Sequence, residues 1–331
     1  MTDATIDMTE EPDDDTKNDS NNGLPMRDAY RQFCKANPNL PIFAQDWYLD
    51  AVSAGGEWGA ATVEAGGEVV AALPYFLKRK GPFRYIVMPP FLKHLGPYLR
   101  QADTPSLTDT HQLYAALIEK LPVVDAFEQD FSPTVTNWLP FYWKGYQQST
   151  RYTYRLVLDD LDRIYDGINR NMQRNIRKAQ AAVSITRGGD IADLYRINRL
   201  SFDRQALPLP YPYELLKRHD KALVAHQARQ LFFATDGSGR MHSASSLIFD
   251  AQTAYYHIAG DDPETRNNGA GILLTWEAIR YTKEVLGLNH FDFEGSMMQN
   301  VEAIRRQFGA VQQPYFRVWK THSRVLRWMR R

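Results

Sequence analysis

The stretch that most constrains how this 331-residue chain can fold runs from residue 231 to residue 294. Three β-rich runs, 231–235, 241–249 and 253–259, are separated by Asp236-Gly237-Ser238-Gly239 and by Asp250-Ala251-Gln252. Glycine and aspartate adopt turn conformations that other residues resist, so this order predicts an antiparallel meander. A loop over 261–268 leads into an amphipathic helix over 271–286. There Ile272, Trp276, Ile279 and Leu286 fall on one stripe, and Gly287 offers an inexpensive left-handed stop. A strand over 290–294, a helix over 298–308 and a last strand over 314–320 complete the unit.

The rest of the second half precedes this unit. Leu161, Ile164, Ile168, Met172 and Ile176 recur at spacings of three and four, predicting one helix over 161–181, and a second is expected over 191–201. The first half has the same kinds of element in a looser pattern. A short helix is expected over 41–50, and strands over 60–64 and 69–77 are joined by the hairpin signal Ala65-Gly66-Gly67-Glu68. A third strand over 84–88 is stopped by Pro89-Pro90, a helix capped by Thr108 or Asp109 runs to Leu121, and a strand covers 123–127. The expected fold class is therefore α+β (mixed α/β), with two units, each a twisted, mostly antiparallel sheet flanked by helices. The expected boundaries are an acidic disordered tail over 1–24, a first domain over 25–150, a second over 151–322 and a basic end over 323–331.

Charge supports the tail. Residues 1–22 hold eight acids against Lys17 and few apolar residues, too little to offset the entropy of ordering. The overall balance is even, 39 basic against 39 acidic residues, so the remainder is basic, chiefly at Arg163–Lys178 and at Lys320, Arg324, Arg327, Arg330 and Arg331. These are either solvated helix faces or contacts to phosphate. No apolar run approaches the roughly 18 residues of a spanning helix, and the single cysteine, Cys34, excludes internal disulfides and fits a reducing cytoplasm. His290-x-Asp292 has ligand spacing on a strand but no second histidine at motif distance, so no metal is expected.

Chemistry concentrates in Arg266-Asn267-Asn268-Gly269-Ala270-Gly271, between a strand and a helix. Glycines there let the backbone approach a ligand. The first-turn N–H groups and the helix dipole favour a phosphate, and Arg266 adds a charge. The loop is neither a dinucleotide fingerprint nor a Walker loop.

Strand, R-x-x-G-x-G, amphipathic helix and strand together resemble the cofactor core of the GNAT acyltransferase superfamily. The stretch from Tyr255 to Lys320, with the helix NRNMQRNIRKAQ, is similar to the tandem-domain bacterial group related to the Fem aminoacyltransferases. The resemblance spans about 40–320. It implies two tandem GNAT-like domains, only the second with the phosphate loop, and acyl-CoA or acetyl-CoA as co-substrate. It would place the pyrophosphate on Arg266, Asn268, Gly269, Ala270 and Gly271.

Alternation along 290–294 puts His290, Asp292 and Glu294 on one face. In the resembled fold this strand end opens beside the thioester, which makes Glu294 the candidate general base. The alternative is a carboxylate capping 296–299 or pairing with an arginine. Tyr256 and Tyr315 are the phenols available to protonate a departing thiolate, each alternatively a packing residue, and His257 is a weaker base candidate. The proline-rich segment 202–212 lies where the acceptor-side loop of the resembled family would fall, so Arg204 and Gln205 are assigned with Asp292 to the acceptor; the alternative for the segment is a rigid surface connection. The expected reaction is N-acyl transfer from acyl-CoA to a small-molecule amine, an amino sugar or amino acid. The alternatives are a Fem-like transfer from aminoacyl-tRNA, with the basic helix on phosphates, and a non-catalytic binding protein of the same fold.

Overall fold

The computed structural model describes residues 24–100, 105–295 and 297–329; most of the expected acidic tail lies outside them. The strands are, in chain order, β1 (Glu57–Ala65), β2 (Glu68–Lys80), β3 (Phe83–Val87), β4 (Tyr98–Leu99), β5 (Ala126–Asp130) and β6 (Gln147–Val157). The second half adds β7 (Ser184–Arg187), β8 (Arg229–Thr235), β9 (Met241–Phe249), β10 (Thr253–Asp261), β11 (His290–Asp292) and β12 (Val311–Thr321). They form one sheet in the order β1-β2-β3-β5-β12-β6-β11-β10-β9-β8-β7, with β4 paired to β2. Only β3–β5 and β10–β11 pair in parallel among these strands. The fold is the mixed α/β, mostly antiparallel class expected.

The hairpin of β1 and β2 turns on Gly66 and Gly67, at φ +60° and +83°, the positive values a two-residue hairpin turn requires. The meander β8-β9-β10 is present as its turn residues predict. What the local pattern does not predict is that the last strand joins the halves. β12 pairs with β6 from Val311 to Trp319 and with β5 from Arg317 to Thr321. The expected boundary at 150/151 falls inside β6, in a continuous sheet.

One of the three apolar clusters also bridges the halves. Tyr30, Phe43 and Tyr48 of the first half are fully buried against Leu194, Leu216 and Tyr255 of the second. A second cluster, with Ile176, Leu274, Phe291 and Phe308, lies within the second half. The third, with Leu73, Phe127 and Phe141, takes Val318 from β12.

The helical expectations need correcting in places. The single helix over 161–181 is two, Leu161–Gly167 and Arg170–Gln180, because Asn169 restarts it as a cap, its Oδ1 accepting the Asn171 amide at 2.9 Å. The helix expected from Thr108 or Asp109 is Leu107–Glu119, capped by Ser106 with Asp109 as the reciprocal partner. Helix Tyr213–Ala225 was not predicted; it starts behind Pro212 and buries Leu215, Leu216, His219 and Leu223.

The sheet splays at its centre. β10 and β11 pair from Thr253–Tyr255 to His290–Asp292, after which β10 runs on to Asp261 with no strand among the described residues on that side. On its other side, the register of β10 with β9 shifts between Tyr256 and Ile258, a bulge at His257. A bulge re-aims the side chain it carries.

Candidate active site

Glu294 lies at the mouth of this splay. The strand ends at Asp292, and Glu294 adopts φ +50°, so the expected alternation of His290, Asp292 and Glu294 breaks at its last member. Left-handed backbone is strained for a residue with a Cβ and persists only where the surroundings fix it. Here Asp292 accepts the Glu294 amide at 2.8 Å, and Arg305 donates through Nε and a terminal nitrogen to the Phe293 carbonyl, at 3.1 and 2.9 Å. Gly295 lies so close to β6 that a Cβ there would sit 1.9 Å from the Tyr152 carbonyl.

The Glu294 carboxylate is buried, 5% exposed, with two partners from different parts of the chain. His257 Nδ1 lies 2.6 Å from Oε1, and Lys93 Nζ, from the first half, lies 3.2 Å from Oε2. Burial acts to raise the Glu294 pKa, but His257 and Lys93 outweigh it and hold the carboxyl below its usual value. Facing an ionised carboxylate, Nδ1 of the ring is the donor, and Nε2 is buried with no hydrogen-bond partner among the described residues.

Around this pair the rings are crowded. Phe91, itself left-handed at φ +68°, stacks on His219 at 4.7 Å and lies 5.9 Å from His257. His219 is 5.4 Å from His257, and Phe43 packs edge-on to His94 at 4.9 Å. Burial pushes His94 down to about 4 and lowers His219 as well, so both rings are neutral at neutral pH.

Asp292, expected at the acceptor, is buried at the cleft wall beside Glu294, with both oxygens engaged. Oδ1 accepts from Thr153 at 2.5 Å and from the Glu294 amide, and Oδ2 lies 3.5 Å from Arg155 Nε. Burial pushes its pKa up to about 6, against the pull of Thr153 and Arg155.

A cleft of about 2030 Å³ opens over Glu294 and runs between the halves. Lys93, His94, Arg204, Gln205, Tyr256, Asp261, Gly271 and Tyr315 all line it. The segment 202–212 thus reaches the site, with Arg204 and Gln205 exposed on its wall. Tyr256 packs near Phe291, and burial pushes its phenol up to about 12; burial raises Tyr315 too.

The glycine loop is more closed than its letters suggest. Arg266–Asn268 is a single helical turn, and Gly269, at φ +87°, starts helix Ala270–Glu284. A Cβ on Gly269 would meet the Asn175 carbonyl at 2.6 Å, so this glycine serves close packing on helix Arg170–Gln180. The Asn268 side chain accepts the Ala270 amide at 2.9 Å and also contacts His242. Of the five expected phosphate residues, Gly271 is the one on the cleft wall, while Arg266 is exposed. The Asp261 carboxylate lies against Gly271, where a Cβ would be 2.4 Å from Oδ1. Burial raises the Asp261 pKa, opposed by Ser243 and by Arg204 and Arg266.

Sequence reasoning did not find Lys93, His94 and His219. The first two follow Pro89-Pro90 in a loop without periodicity, and the third reads as one more position on an amphipathic helix. Among the described residues no group of three histidine, cysteine or acidic side chains could hold a metal, and no helix is long and apolar enough to cross a membrane.

Residues 168–317 match the family model described as an acetyltransferase (GNAT) domain. FemX has the same fold, with a TM-score of 0.66 at 12% identity over 88% of this chain and 95% of that one. A tandem GNAT protein from the clavulanic acid biosynthesis pathway aligns with a TM-score of 0.53 at 14% identity, over 88% and 92% of the two chains. L-PGS from Bacillus licheniformis aligns at 0.55 and 10% identity, over 91% and 94%. No curated protein matches the chain in sequence. Residues 168–317 thus match a GNAT acetyltransferase domain, and the chain as a whole has the fold of FemX and of the tandem GNAT protein.

Proposed function

We propose that the chain is an N-acyltransferase, with Glu294 as the base that takes a proton from an acceptor amine. The observation that carries this reading is the Glu294 carboxylate itself: buried, held left-handed at the splayed strand end, and oriented by His257 on one oxygen and Lys93 on the other. In the reaction the amine nitrogen bonds to the acyl carbon and the bond to the leaving sulfur or oxygen breaks. The amine proton passes to Glu294 and on to the leaving group. Tyr256, with a phenol near 12, serves better as a hydrogen-bond donor to the developing charge than as a full acid, and Tyr315 is a second such donor. Arg204 and Gln205 would hold the acceptor.

The donor we propose is acyl-CoA, with its pyrophosphate over the first turn of helix Ala270–Glu284 at Gly271 and beside Arg266. One observation favours a second donor, an aminoacyl ester on tRNA: the Asp261 carboxylate occupies the space in front of Gly271, where a pyrophosphate would be repelled. A thermal-shift titration separates the two. CoA and acetyl-CoA should raise the melting temperature of the wild type and much less that of Arg266→Glu, an exposed position whose change leaves the core intact. A shift with aminoacylated tRNA and none with CoA would overturn the CoA reading in favour of the second.

A further inference from the structure

Three stretches far apart in sequence meet at one rim of the cleft. Asp125 joins them: it accepts the Arg84 amide on Oδ2 at 2.8 Å and donates its own amide to the Arg84 carbonyl at 2.8 Å. Its carbonyl accepts the amides of His322 and Ser323, at 2.8 and 3.0 Å. The β2–β3 hairpin is thereby fixed beside the C-terminal helix Arg324–Met329 and the segment leading into β5.

The surface so assembled is both cationic and apolar. Arg79 and Lys80 are exposed at the hairpin, and Arg79 stands directly across the strand pair from Arg84, a like-charge pairing that costs stability unless an anion offsets it. On the helix Arg324 and Arg327 are exposed. Among the described residues, Arg79, Lys80, Arg324 and Arg327 enter no ion pair, and Asp125, the carboxylate between the two elements, is bonded to the backbone. Trp328 is 78% exposed and Val325 55%, one helical turn apart on one face, and Val123 nearby is 86% exposed. Leu326, on the inner side of the same helix, lines the cleft together with Lys78, Arg79 and Lys80.

We propose that this rim docks peripherally on an anionic lipid surface, with Trp328 and Val325 entering the interface and Arg79, Lys80, Arg324 and Arg327 facing the headgroups. Tryptophan belongs at the boundary between water and hydrocarbon, and cations beside it add attraction to acidic lipid. A nucleic acid would use the cations but would not reward an isolated valine and a tryptophan turned outward with no base-stacking cleft around them. Docked this way, the cleft opens toward the membrane. This surface lies apart from Glu294, and its docking does not depend on which acyl donor is used.

The test is flotation of the purified chain with unilamellar vesicles, either phosphatidylcholine alone or with 30% phosphatidylglycerol (about one lipid in three), at low and at physiological salt. The wild type should float with the acidic vesicles, less so as salt rises, and stay behind with the zwitterionic ones. Reversing Arg79, Lys80, Arg324 and Arg327 to Glu should lower partition by about 10³-fold or more. Trp328→Ser with Val325→Ser, at unchanged charge, should lower it by roughly three- to tenfold. All these side chains are exposed, so unchanged melting temperatures verify that the variants fold. No flotation, equal flotation with both vesicles, or a Trp328→Ser Val325→Ser variant that binds like wild type would overturn the proposal. So would tighter binding to a short RNA duplex that only the charge reversal abolishes.

Discussion

Replacing Lys93 by Met should raise the Glu294 pKa by about one unit while leaving the fold intact. Two unit charges 3.2 Å apart interact by about 1.3 kcal/mol at the dielectric constant of water and about 5 kcal/mol at an effective constant of 20. Lys93 is 42% exposed, so solvent screens the pair and the lower end of that range applies, about 1–2 kcal/mol. The other groups facing Glu294 stay in place: His257 from β10, Asp292 beside it, Arg305 from the following helix, and His94 and Tyr48 from the first half. Carbon-13 NMR of glutamate-labelled protein, with Glu294→Gln to assign the signal, reads the titration directly and needs no substrate. The sign carries into stability. A carboxyl whose folded pKa is depressed adds stability above its unfolded pKa and loses it as pH falls through the folded value. Lys93→Met should therefore lose its resistance to acid at a higher pH than wild type, and Lys93→Arg should restore it. Identical Glu294 titrations in wild type and Lys93→Met would refute the role given to the lysine.

Other consequences are simpler to read. Gly260→Ala should cost about 1–3 kcal/mol in chemical denaturation, since its Cβ would lie 2.6 Å from the Asn198 Cα on the helix packed over β10. Asp261→Asn should tighten CoA binding about five- to tenfold in calorimetry, because it removes a negative charge from the front of helix Ala270–Glu284; unchanged affinity would put the pyrophosphate elsewhere.

Local chemistry made much of the fold legible. Gly66-Gly67 marked a hairpin because both positions need positive φ, and the two turns of the meander were marked by aspartate with glycine in one and by Asp250 in the other. The strand-loop-helix around Gly269 was readable because glycine, helix periodicity and strand ends all fall within a few residues. Long-range placement was not readable. Nothing in 311–321 says that its partners are 147–157 and 126–130, and nothing around Pro89-Pro90 says that Lys93 ends beside Glu294. Glu294 itself was legible as the carboxylate at a strand end, but not its left-handed turn, which depends on Asp292 and Arg305 holding the backbone. Gly269 was legible as a glycine where one is needed; its immediate reason is the Asn175 backbone rather than open space for a ligand.

The central claim, acyl transfer to an amine through Glu294, is tested most directly by release of free thiol from acetyl-CoA in the presence of a panel of amino acids and amino sugars. Wild type and Glu294→Gln should be compared side by side. The isosteric glutamine still fills the site and can accept the His257 hydrogen bond but gives up the Lys93 ion pair, so the melting temperature of the variant is measured alongside to show that it folds. The account predicts amine-dependent release by the wild type that falls by about 10²–10⁴-fold in Glu294→Gln. Equal release by the two proteins would contradict it.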